Sequence, residues 1–394
     1  MNTLNCESVF TKKEWSETGM TYDTLLTEKF NKMTYGFVGL GLIGSSIAKA
    51  FRRAYKDCRI IAFNRSEHAR MLALQDKVAD YATDSIDEHF GECDYIFLCT
   101  PVEYNEYYLR ELKSIIKPSC IITDVGSVKT NIHKVVIEEV LEENFIGGHP
   151  MAGSEKTGYE NGTASLCENA LYAITPTALS LPEKVEEYKS LVEGIGAIPL
   201  ILDYREHDYS VAAISHLPHI IAAQLVNLVK ESDSGRQIMK QMAAGGFKDI
   251  TRIASSSPEM WEQICMTNHE NIAKLLDKYI ELLLEAKEML LSEDGAGIND
   301  IFRRSGAYRN SFNNNAVGLI KKEFFIYMDI TDEAGAISEI ASLLAGEKIN
   351  IKNIGIVHNR EFEGGVLQIA FYDKDTYNAA LKVLAEKNYV IYKK

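Results

Sequence analysis

The sequence predicts an α/β protein built from a doubly wound parallel sheet, an all-helical region and a small βαββαβ unit. From Tyr35 to about Gly147, short β-branched runs alternate with helical segments, which is typical of a parallel sheet covered by helices. Residues 205–292 are almost wholly helical in pattern, and residues 324–394 follow the order strand, helix, strand, strand, helix, strand of a ferredoxin-like arrangement. A length of 394 residues fits two or three domains.

The first strand runs into a glycine-rich turn that opens a helix. Gly39 permits the tight turn, Gly41 lets the backbone approach a pyrophosphate, and Gly44 lets the helix pack closely on the strand. Leu42 and Ile43 lie within the turn, where amide N–H groups at the helix start face the diphosphate. This context predicts a Rossmann-type dinucleotide site.

The same alternation predicts the other elements of the sheet, with strands at Arg59–Phe63, Tyr95–Cys99, Cys120–Thr123 and Phe145–Gly147 and helices at 66–75, 103–114 and 128–141. A further strand at Ala170–Pro176 and a helix at 182–194 follow them. Ligands bind outside the carboxyl ends of such strands, so the segments beginning at Thr100-Pro101, Asp124 and Gly148 are expected to share one crevice. The residues that carry out the reaction are expected to lie in this crevice.

The helical region is more apolar than one small bundle requires. Its clearest apolar stripe is interpreted as a packing surface. The stripe contains Ile272, Leu275, Leu276, Tyr279, Leu282, Leu283, Ala286, Met289 and Leu290. The excess apolar surface favours a homodimer. Residues 293–323, rich in Gly, Asn, Ser and Arg, are interpreted as a linker.

These patterns divide the chain into five segments. They are an N-terminal extension (1–32) expected to be flexible, a nucleotide-binding domain (33–176), a helical substrate and dimerisation domain (177–310), a linker (311–323) and a C-terminal regulatory domain (324–394).

Composition excludes several classes of function. With 42 basic and 56 acidic residues the chain carries a net charge of −14, which disfavours nucleic acid and anionic lipid surfaces. The seven cysteines are scattered, which argues against a disulfide framework and a zinc site and favours a cytoplasmic location. No apolar run of about 18 residues is evident, so no membrane association is expected.

His149 is the principal candidate for chemistry. Flanking glycines and Pro150 hold it in an extended loop, and neutral imidazole accepts a proton at physiological pH. The alternative is a histidine that is only hydrogen-bonded in a turn. Ser127 lies at a strand end, where capping of the next helix is the simplest interpretation and a bridge to His149 is the alternative.

A second candidate group lies in the helical region. His216 and His219 share one helical face, which leaves open core packing, a metal site or binding of an anionic substrate. The planar fork of Arg252 suits a carboxylate, although such an arginine is equally an ordinary surface residue.

Taken together, these motifs resemble the prephenate dehydrogenase family over roughly residues 35–310. The matching segments are Gly39–Gly44, Gly126–Lys129, His149–Glu155, His207-Asp208, Ser215–His219 and Gly246–Arg252. Residues 324–394 resemble an ACT-type regulatory domain. The resemblance implies oxidative decarboxylation of prephenate to 4-hydroxyphenylpyruvate in tyrosine biosynthesis, with NAD or NADP as cofactor and no metal.

The resemblance also assigns roles to individual residues. His149 is the base toward the ring hydroxyl, and Ser127 hydrogen-bonds beside it. The implied substrate-binding residues are His219, Arg252, Ser154, Glu155, His207, Lys248 and Trp261. Tyrosine is the implied effector, held near Asp332, Gly335, Ala336, Ile337 and Asn350.

One departure concerns the cofactor. NAD-binding folds usually carry Asp or Glu about 20 residues after the glycines, but this chain has Asn64 and Arg65 there. An uncharged Asn followed by Arg does not repel a 2′-phosphate, which predicts that NADP is accepted. The alternative is that Arg65 points to solvent or stacks on adenine while NAD serves.

Three alternatives of function remain open. Arogenate differs from prephenate only in the side chain. A β-hydroxyacid-type dehydrogenase would use Lys248 as its catalytic lysine, but it would leave the His149 loop unexplained. A non-catalytic nucleotide and amino-acid sensor would tolerate the loss of His149.

Overall fold

The computed structural model describes residues 22–153, 156–312, 324–331, 333–360, 363–387 and 389–392. The chain divides into two compact units, Met1–Glu288 and Met289–Lys394.

Five parallel strands form the central sheet of the first unit. They are β1 (Thr34–Val38), β2 (Arg59–Phe63), β3 (Tyr81–Thr83), β4 (Tyr95–Leu98) and β5 (Ile121–Asp124). Their order is β3-β2-β1-β4-β5, so the direction of winding reverses between β1 and β4. This is the doubly wound order, and its ligand crevice lies at that reversal, as the glycine turn predicts.

A second sheet of three strands continues from the first. Its strands are β6 (Ile146–Pro150), β7 (Leu171–Pro176) and β8 (Ile198–Ile201), with β6 antiparallel and β8 parallel to β7. A parallel bridge between Ile122 and Phe145 connects it to β5. The doubly wound parallel sheet predicted between Tyr35 and Gly147 is confirmed, because β1–β5 are parallel and the bridge at Phe145 is parallel as well. The short strands β3 and β8 went unpredicted because each has only three or four residues.

The first unit carries twelve described α-helices or parts of them. They are α1 (Tyr22–Asn31), α2 (Leu42–Ala54), α3 (Glu67–Gln75), α4 (Val102–Lys113), α5 (Thr130–Glu138), α6 (Pro182–Gly194), α7 (Tyr204–Val211), α8 (Leu217–Ser232), α9 (Ile238–Met242), α10 (Gly245–Thr251), α11 (Pro258–Thr267) and α12 (His269–Leu291, which ends in the second unit). A π-helical turn, Ala212–His216, joins α7 to α8.

Side chains of the central strands alternate between two apolar cores. Tyr35 and Phe37 of β1 belong to one cluster and Val38 to the other, and β4 divides in the same way between Phe97 and Leu98. Successive side chains of a strand point to opposite faces, so burial on both faces explains why these strands are apolar throughout.

The end of the N-terminal extension is part of this fold. Leu26 and Phe30 of α1 are buried, and Lys29 Nζ lies 2.6 Å from the buried carboxylate of Glu187. The expectation that residues 1–32 are flexible is therefore wrong for residues 22–31, because apolar contacts hold this helix. Residues 1–21 lie outside the described residues.

The apolar stripe of α12 is mostly exposed. Ile272 is buried, but Leu282 and Leu283 are more than half exposed, so packing within the described chain does not account for the stripe. By length and composition Tyr204–Ser232 also passes as a membrane-spanning helix, with a mean hydropathy of 1.4, which the expectation from the sequence overlooked. Its one buried face carries polar side chains of the site described below.

The second unit contains a four-stranded antiparallel sheet with two helices. Its elements are α13 (Gly295–Ser311), β9 (Phe324–Ile330), α14 (Ala336–Gly346), β10 (Asn353–Arg360), β11 (Glu363–Phe371), α15 (Lys374–Glu386) and β12 (Ile391–Tyr392). The strand order β10-β11-β9-β12 confirms the ferredoxin-like arrangement. The linker interpretation is wrong for Gly295–Ser311, which are helical, and residues 313–323 lie outside the described residues.

Candidate active site

The glycine turn has the geometry that a pyrophosphate requires. Gly39 has a φ of 101°, which favours glycine, and a Cβ on Gly44 would lie 2.2 Å from the carbonyl oxygen of Gly39. An added Cβ at Gly41 would meet nothing within 4 Å, so the approach to the turn is open. Gly41 caps α2 without a side-chain hydrogen bond, which leaves the first amides of the helix to bind an anion.

The residues after β2 are organised around the same turn. Asn64 Oδ1 accepts a hydrogen bond of 3.1 Å from the amide of Leu40, so this side chain braces the glycine turn. Arg65 is exposed, and its guanidinium lies 5.3 Å from the ring centroid of Tyr104. Thr100 donates to Asn105 at 2.7 Å, beside the exposed Pro101 at the start of α4.

His149 lies at the end of a chain of three hydrogen-bonded side chains. Its Nδ1 is 2.8 Å from Nε2 of His207, and His207 Nδ1 is 2.8 Å from Oδ1 of Asp208. His207 and Asp208 are buried, whereas His149 is half-buried. The amides of Lys129 and Thr130 donate to the same carboxylate at 2.8 and 2.7 Å.

The chain of hydrogen bonds determines which nitrogen of His149 is free. Because a carboxylate only accepts, His207 donates from Nδ1, and its bare Nε2 accepts from His149 Nδ1–H. The lone pair of His149 then lies on Nε2, which has no hydrogen-bond partner among the described residues. Burial, followed by nearby His207 and Lys129, holds the pKa of His149 well below its ordinary value, so the free ring is neutral at physiological pH.

Asp208 stays ionised in spite of its burial. Burial raises its pKa, but the hydrogen bonds from His207, Thr130 and Lys129 outweigh this effect and hold the pKa below its usual range. A fixed negative charge therefore lies two side chains from Nε2 of His149, where it stabilises a proton taken up by the histidine pair.

A buried ion pair supports the strand that carries His149. Lys129 and Asp124 are both almost fully buried, and Lys129 Nζ donates to Asp124 and, at 2.6 Å, to the carbonyl of Gly148. Asp124 also accepts from the amides of Gly126 and Gly148 at 2.9 and 3.3 Å. The end of β5 and the residue before His149 are thereby held together.

Ser127 does not cap the next helix. Helix α5 begins at Thr130 with Lys129 as its N-cap, and Asp208, far away in the sequence, supplies the capping carboxylate. The capping prediction is wrong because a charged acceptor from α7 satisfies these amides. Ser127 is half-buried in the loop beside the site and makes no hydrogen bond with the described residues.

A second cluster surrounds His219. Its ring stacks on Trp261 with centroids 3.6 Å apart, and its Nδ1 donates to the carbonyl of Ser215 at 2.8 Å. Burial and, to a lesser extent, the nearby cation of Arg252 lower the pKa of His219. His216 instead accepts from Asn268 at 3.2 Å, so the two histidines of this motif have different hydrogen-bond partners.

Most of the other predicted site residues are exposed or lie outside the described residues. Lys248 is exposed on α10, one turn before Arg252, which is also exposed. Ser154, Glu155 and Asp332 lie outside the described residues. In the second unit, Gly335 has a φ of 102° and begins the helix that contains Ala336 and the partly exposed Ile337, while Asn350 is exposed.

Sequence reasoning missed the supporting polar residues. Asp208, Asp124 and Lys129 stood inside recognised motifs but received no role, and Asn268 was not considered. An Asp directly after His207 and a Lys just after a strand end are weak signals, because only their burial distinguishes them from solvated charges.

Two family models match the chain. The nucleotide-binding domain of prephenate dehydrogenase matches residues 47–200, and the dimerization domain of prephenate dehydrogenase matches residues 203–304. They cover strands β2–β7, the hydrogen-bonded side chains of His149, His207 and Asp208, and the His219 cluster.

Known proteins show the same relationship over longer stretches. A prephenate dehydrogenase of Bacillus subtilis (strain 168) is 38% identical over 347 residues, which cover 87% of this chain and 93% of the relative. The structure of the A. aeolicus prephenate dehydrogenase in complex with hydroxyphenyl propionate and NAD+ is 30% identical, with a TM-score of 0.67, and covers 71% of this chain and 98% of that one. A Synechocystis arogenate dehydrogenase structure is 29% identical, with a TM-score of 0.66, and covers 71% and 100%. With such coverage, and with both family models in order along its length, this chain belongs to the prephenate dehydrogenase family.

Proposed function

We propose that this chain oxidises and decarboxylates prephenate to 4-hydroxyphenylpyruvate, using a nicotinamide dinucleotide, in tyrosine biosynthesis. The observation that carries the proposal is the relay of Asp208, His207 and His149, which leaves a bare, neutral Nε2 near the carboxyl end of β6, next to a parallel bridge to β5 of the nucleotide-binding sheet. A base beside a hydride acceptor is what oxidation of a ring alcohol requires.

The protein's part in the reaction is positioning and proton transfer. A nicotinamide dinucleotide held at the glycine turn would supply the acceptor for the hydride of the ring carbon that bears the hydroxyl. His149 Nε2 takes the hydroxyl proton as that carbon is oxidised, and Asp208 stabilises the resulting charge through His207. The bond to the ring carboxylate then breaks, carbon dioxide leaves, and the electron pair completes the aromatic ring. The proton returns from His149 to the phenolate oxygen, so no net proton is consumed.

The second cluster binds the anionic groups of the substrate. Arg252 offers two parallel donors to a carboxylate, and His219 offers Nε2 once that nitrogen carries a proton. Since Nδ1 of His219 already donates to Ser215, substrate binding raises the pKa of His219. Trp261 holds the histidine ring by stacking.

The remaining predicted residues complete the pocket. Ser127 is assigned to the substrate hydroxyl beside His149. Ser154, Glu155 and Lys248 are assigned to the walls of the pocket.

The cofactor specificity rests on Asn64 and Arg65. Asn64 already accepts from Leu40, and no carboxylate is present at this position to bind the ribose 2′-hydroxyl. We therefore propose that NADP is accepted, with Arg65 turning from Tyr104 to the 2′-phosphate. Comparing kcat/KM for both cofactors in the wild type and in Arg65→Ala tests this. Wild-type turnover with NAD but not with NADP refutes the proposal, and a tenfold or larger wild-type preference for NAD excludes an NADP preference.

Turnover of prephenate and of arogenate, measured through the absorbance of the reduced nicotinamide, tests the proposed reaction. Prephenate turnover that falls at least 100-fold in His149→Asn, with dinucleotide binding unchanged, supports it. Turnover of arogenate alone reverses the substrate assignment, and a His149→Asn variant with full activity refutes the mechanism.

The C-terminal unit is proposed to be an ACT-type domain that binds tyrosine. The turn from β9 to α14, with Gly335 in its left-handed conformation, is the predicted contact. Removing residues 324–394 is expected to abolish inhibition by tyrosine and to spare catalysis. Unchanged inhibition would place the inhibitor in the active site.

A homodimer in the cytoplasm completes the proposal. The exposed apolar residues of α12 require a partner surface, and a second copy of the chain provides one. A monomer mass in gel filtration contradicts the dimer.

A further inference from the structure

The helix that carries both ends of the proposed site contains one π-helical turn. The turn spans Ala212–His216, between His207 and His219, and the amide of Leu217 bonds to the carbonyl of Ala212, five residues back. Such turns accommodate one extra residue and recur at functional sites.

The extra residue changes which side chains share a face. At 100° per residue, an uninterrupted α-helix would place His219 about 120° from His207, on a different face. A π-turn accommodates one extra residue without the 100° of rotation that this residue would add in an α-helix. The side chains of the two histidines therefore lie only about 20° apart around the helix axis. They lie about 17 Å apart along the axis, which leaves room for His149 and a substrate between them.

The burial pattern records the same shift independently. Val211 and Ala212, at the start of the turn, are buried, and the next buried positions are His216 and Leu217, each five residues later. A regular helix would repeat its buried face after three or four residues.

Asn268 holds the two sides of the turn together. This buried side chain donates from Nδ2 to the backbone carbonyl of Asp208 at 2.8 Å and to Nδ1 of His216 at 3.2 Å. It therefore connects the end of α7 that carries the relay to the end of the turn that leads into His219.

We propose that this π-turn, held by Asn268, is a positioning device that aligns the carboxylate-binding end of the site with its proton-transfer end. The inference rests on the proposed function and goes beyond it, because neither Asn268 nor any residue of the turn before His216 touches the reacting atoms. If the turn became a regular helix, a rotation of 100° at a side-chain radius of about 5 Å would displace the His219 ring by about 8 Å relative to His207.

Deleting Ile214 tests the device, since Ile214 is 69% exposed and its loss removes one residue without emptying the core. The matched control is Ile214→Ala, which keeps the register. We expect the deletion to lower kcat/KM for prephenate at least 100-fold with dinucleotide affinity within threefold, while Ile214→Ala stays within twofold of wild type. A deletion variant that matches Ile214→Ala within threefold overturns the inference.

A second variant decides the question if the deletion prevents folding. Asn268→Ala is expected to raise KM at least tenfold with kcat within threefold, because the relay persists while the His219 end loses its alignment. The control is Asn271→Ala, which removes a hydrogen bond to Oδ1 of Asn268 but leaves both bonds that Asn268 Nδ2 donates across the turn. An unchanged KM in Asn268→Ala overturns the inference. A wild-type chain that does not turn over prephenate refutes the proposed function itself, and that result is seen before any variant is compared.

Discussion

Replacing Asp208 by Asn tests the relay most directly. The carboxylate accepts three hydrogen bonds, from His207 and from the amides of Lys129 and Thr130. Oδ1 accepts from His207 and from the amide of Lys129, so the carbonyl oxygen of Asn is expected to take the place of Oδ1. The amino group of Asn then takes the place of Oδ2 and faces the amide of Thr130. The partly buried N–H group of Thr130 then loses its acceptor, which costs about 1–3 kcal/mol of stability.

The catalytic cost comes from the lost charge. A proton taken up by His149 and His207 is no longer stabilised by a carboxylate, and we expect kcat to fall by about 10² to 10⁴, or about 3–5 kcal/mol of transition-state stabilisation. Steady-state turnover of prephenate and titration of the dinucleotide measure the two effects separately. Dinucleotide affinity is expected to stay within threefold, because the glycine turn is untouched.

Asp203→Asn is the matched control for this variant. Asp203 caps the same helix, α7, but is exposed and lies outside the relay. The control is expected to retain kcat within twofold. A folded Asp208→Asn enzyme with kcat within threefold of wild type refutes the role given to the relay.

Three further predictions follow from buried groups of the first unit. Gly44→Ala is expected to weaken dinucleotide binding at least 30-fold in calorimetry, because its Cβ would lie 2.2 Å from the Gly39 carbonyl oxygen; unchanged affinity would exclude close helix packing at this turn. Lys129→Met leaves a buried carboxylate unpaired and is expected to lower the free energy of unfolding by about 3–5 kcal/mol in urea denaturation, whereas a loss below about 1 kcal/mol contradicts the buried pair. Burial lowers the pKa of His133 to about 3 and of His216 to about 4, so the unfolded state binds more protons than the folded state below pH 6.5. Each histidine is therefore expected to lower the free energy of unfolding by about 1.4 kcal/mol per pH unit as the pH falls from 6.5 toward the pKa of the folded state. A free energy of unfolding that stays constant from pH 6.5 to 4.5 would contradict this.

Local patterns predicted the elements whose signals are contained within a few neighbouring residues. The helix at 182–194 and the strand at 324–330 have the predicted ends, since Pro182 starts the one and uninterrupted apolar residues define the other. The glycine turn was equally predictable, because the backbone angles and close contacts that it needs admit only glycine at Gly39 and Gly44.

Contacts between distant segments could not be predicted in the same way. Asp208 caps a helix 79 residues away, and Lys29 finds its carboxylate 158 residues away. In the sequence these residues cannot be distinguished from exposed charged residues. Only the folded chain shows that each is at least partly buried against one specific partner.

By itself, then, the sequence determined the order of the elements, the dinucleotide turn and the identity of His149 as the candidate base, because residue type and spacing specify local backbone geometry. The tertiary structure decided which nitrogen of that base is free, which carboxylate supports it and which face of the helix meets it. These properties depend on burial and on hydrogen bonds between segments that only folding brings together.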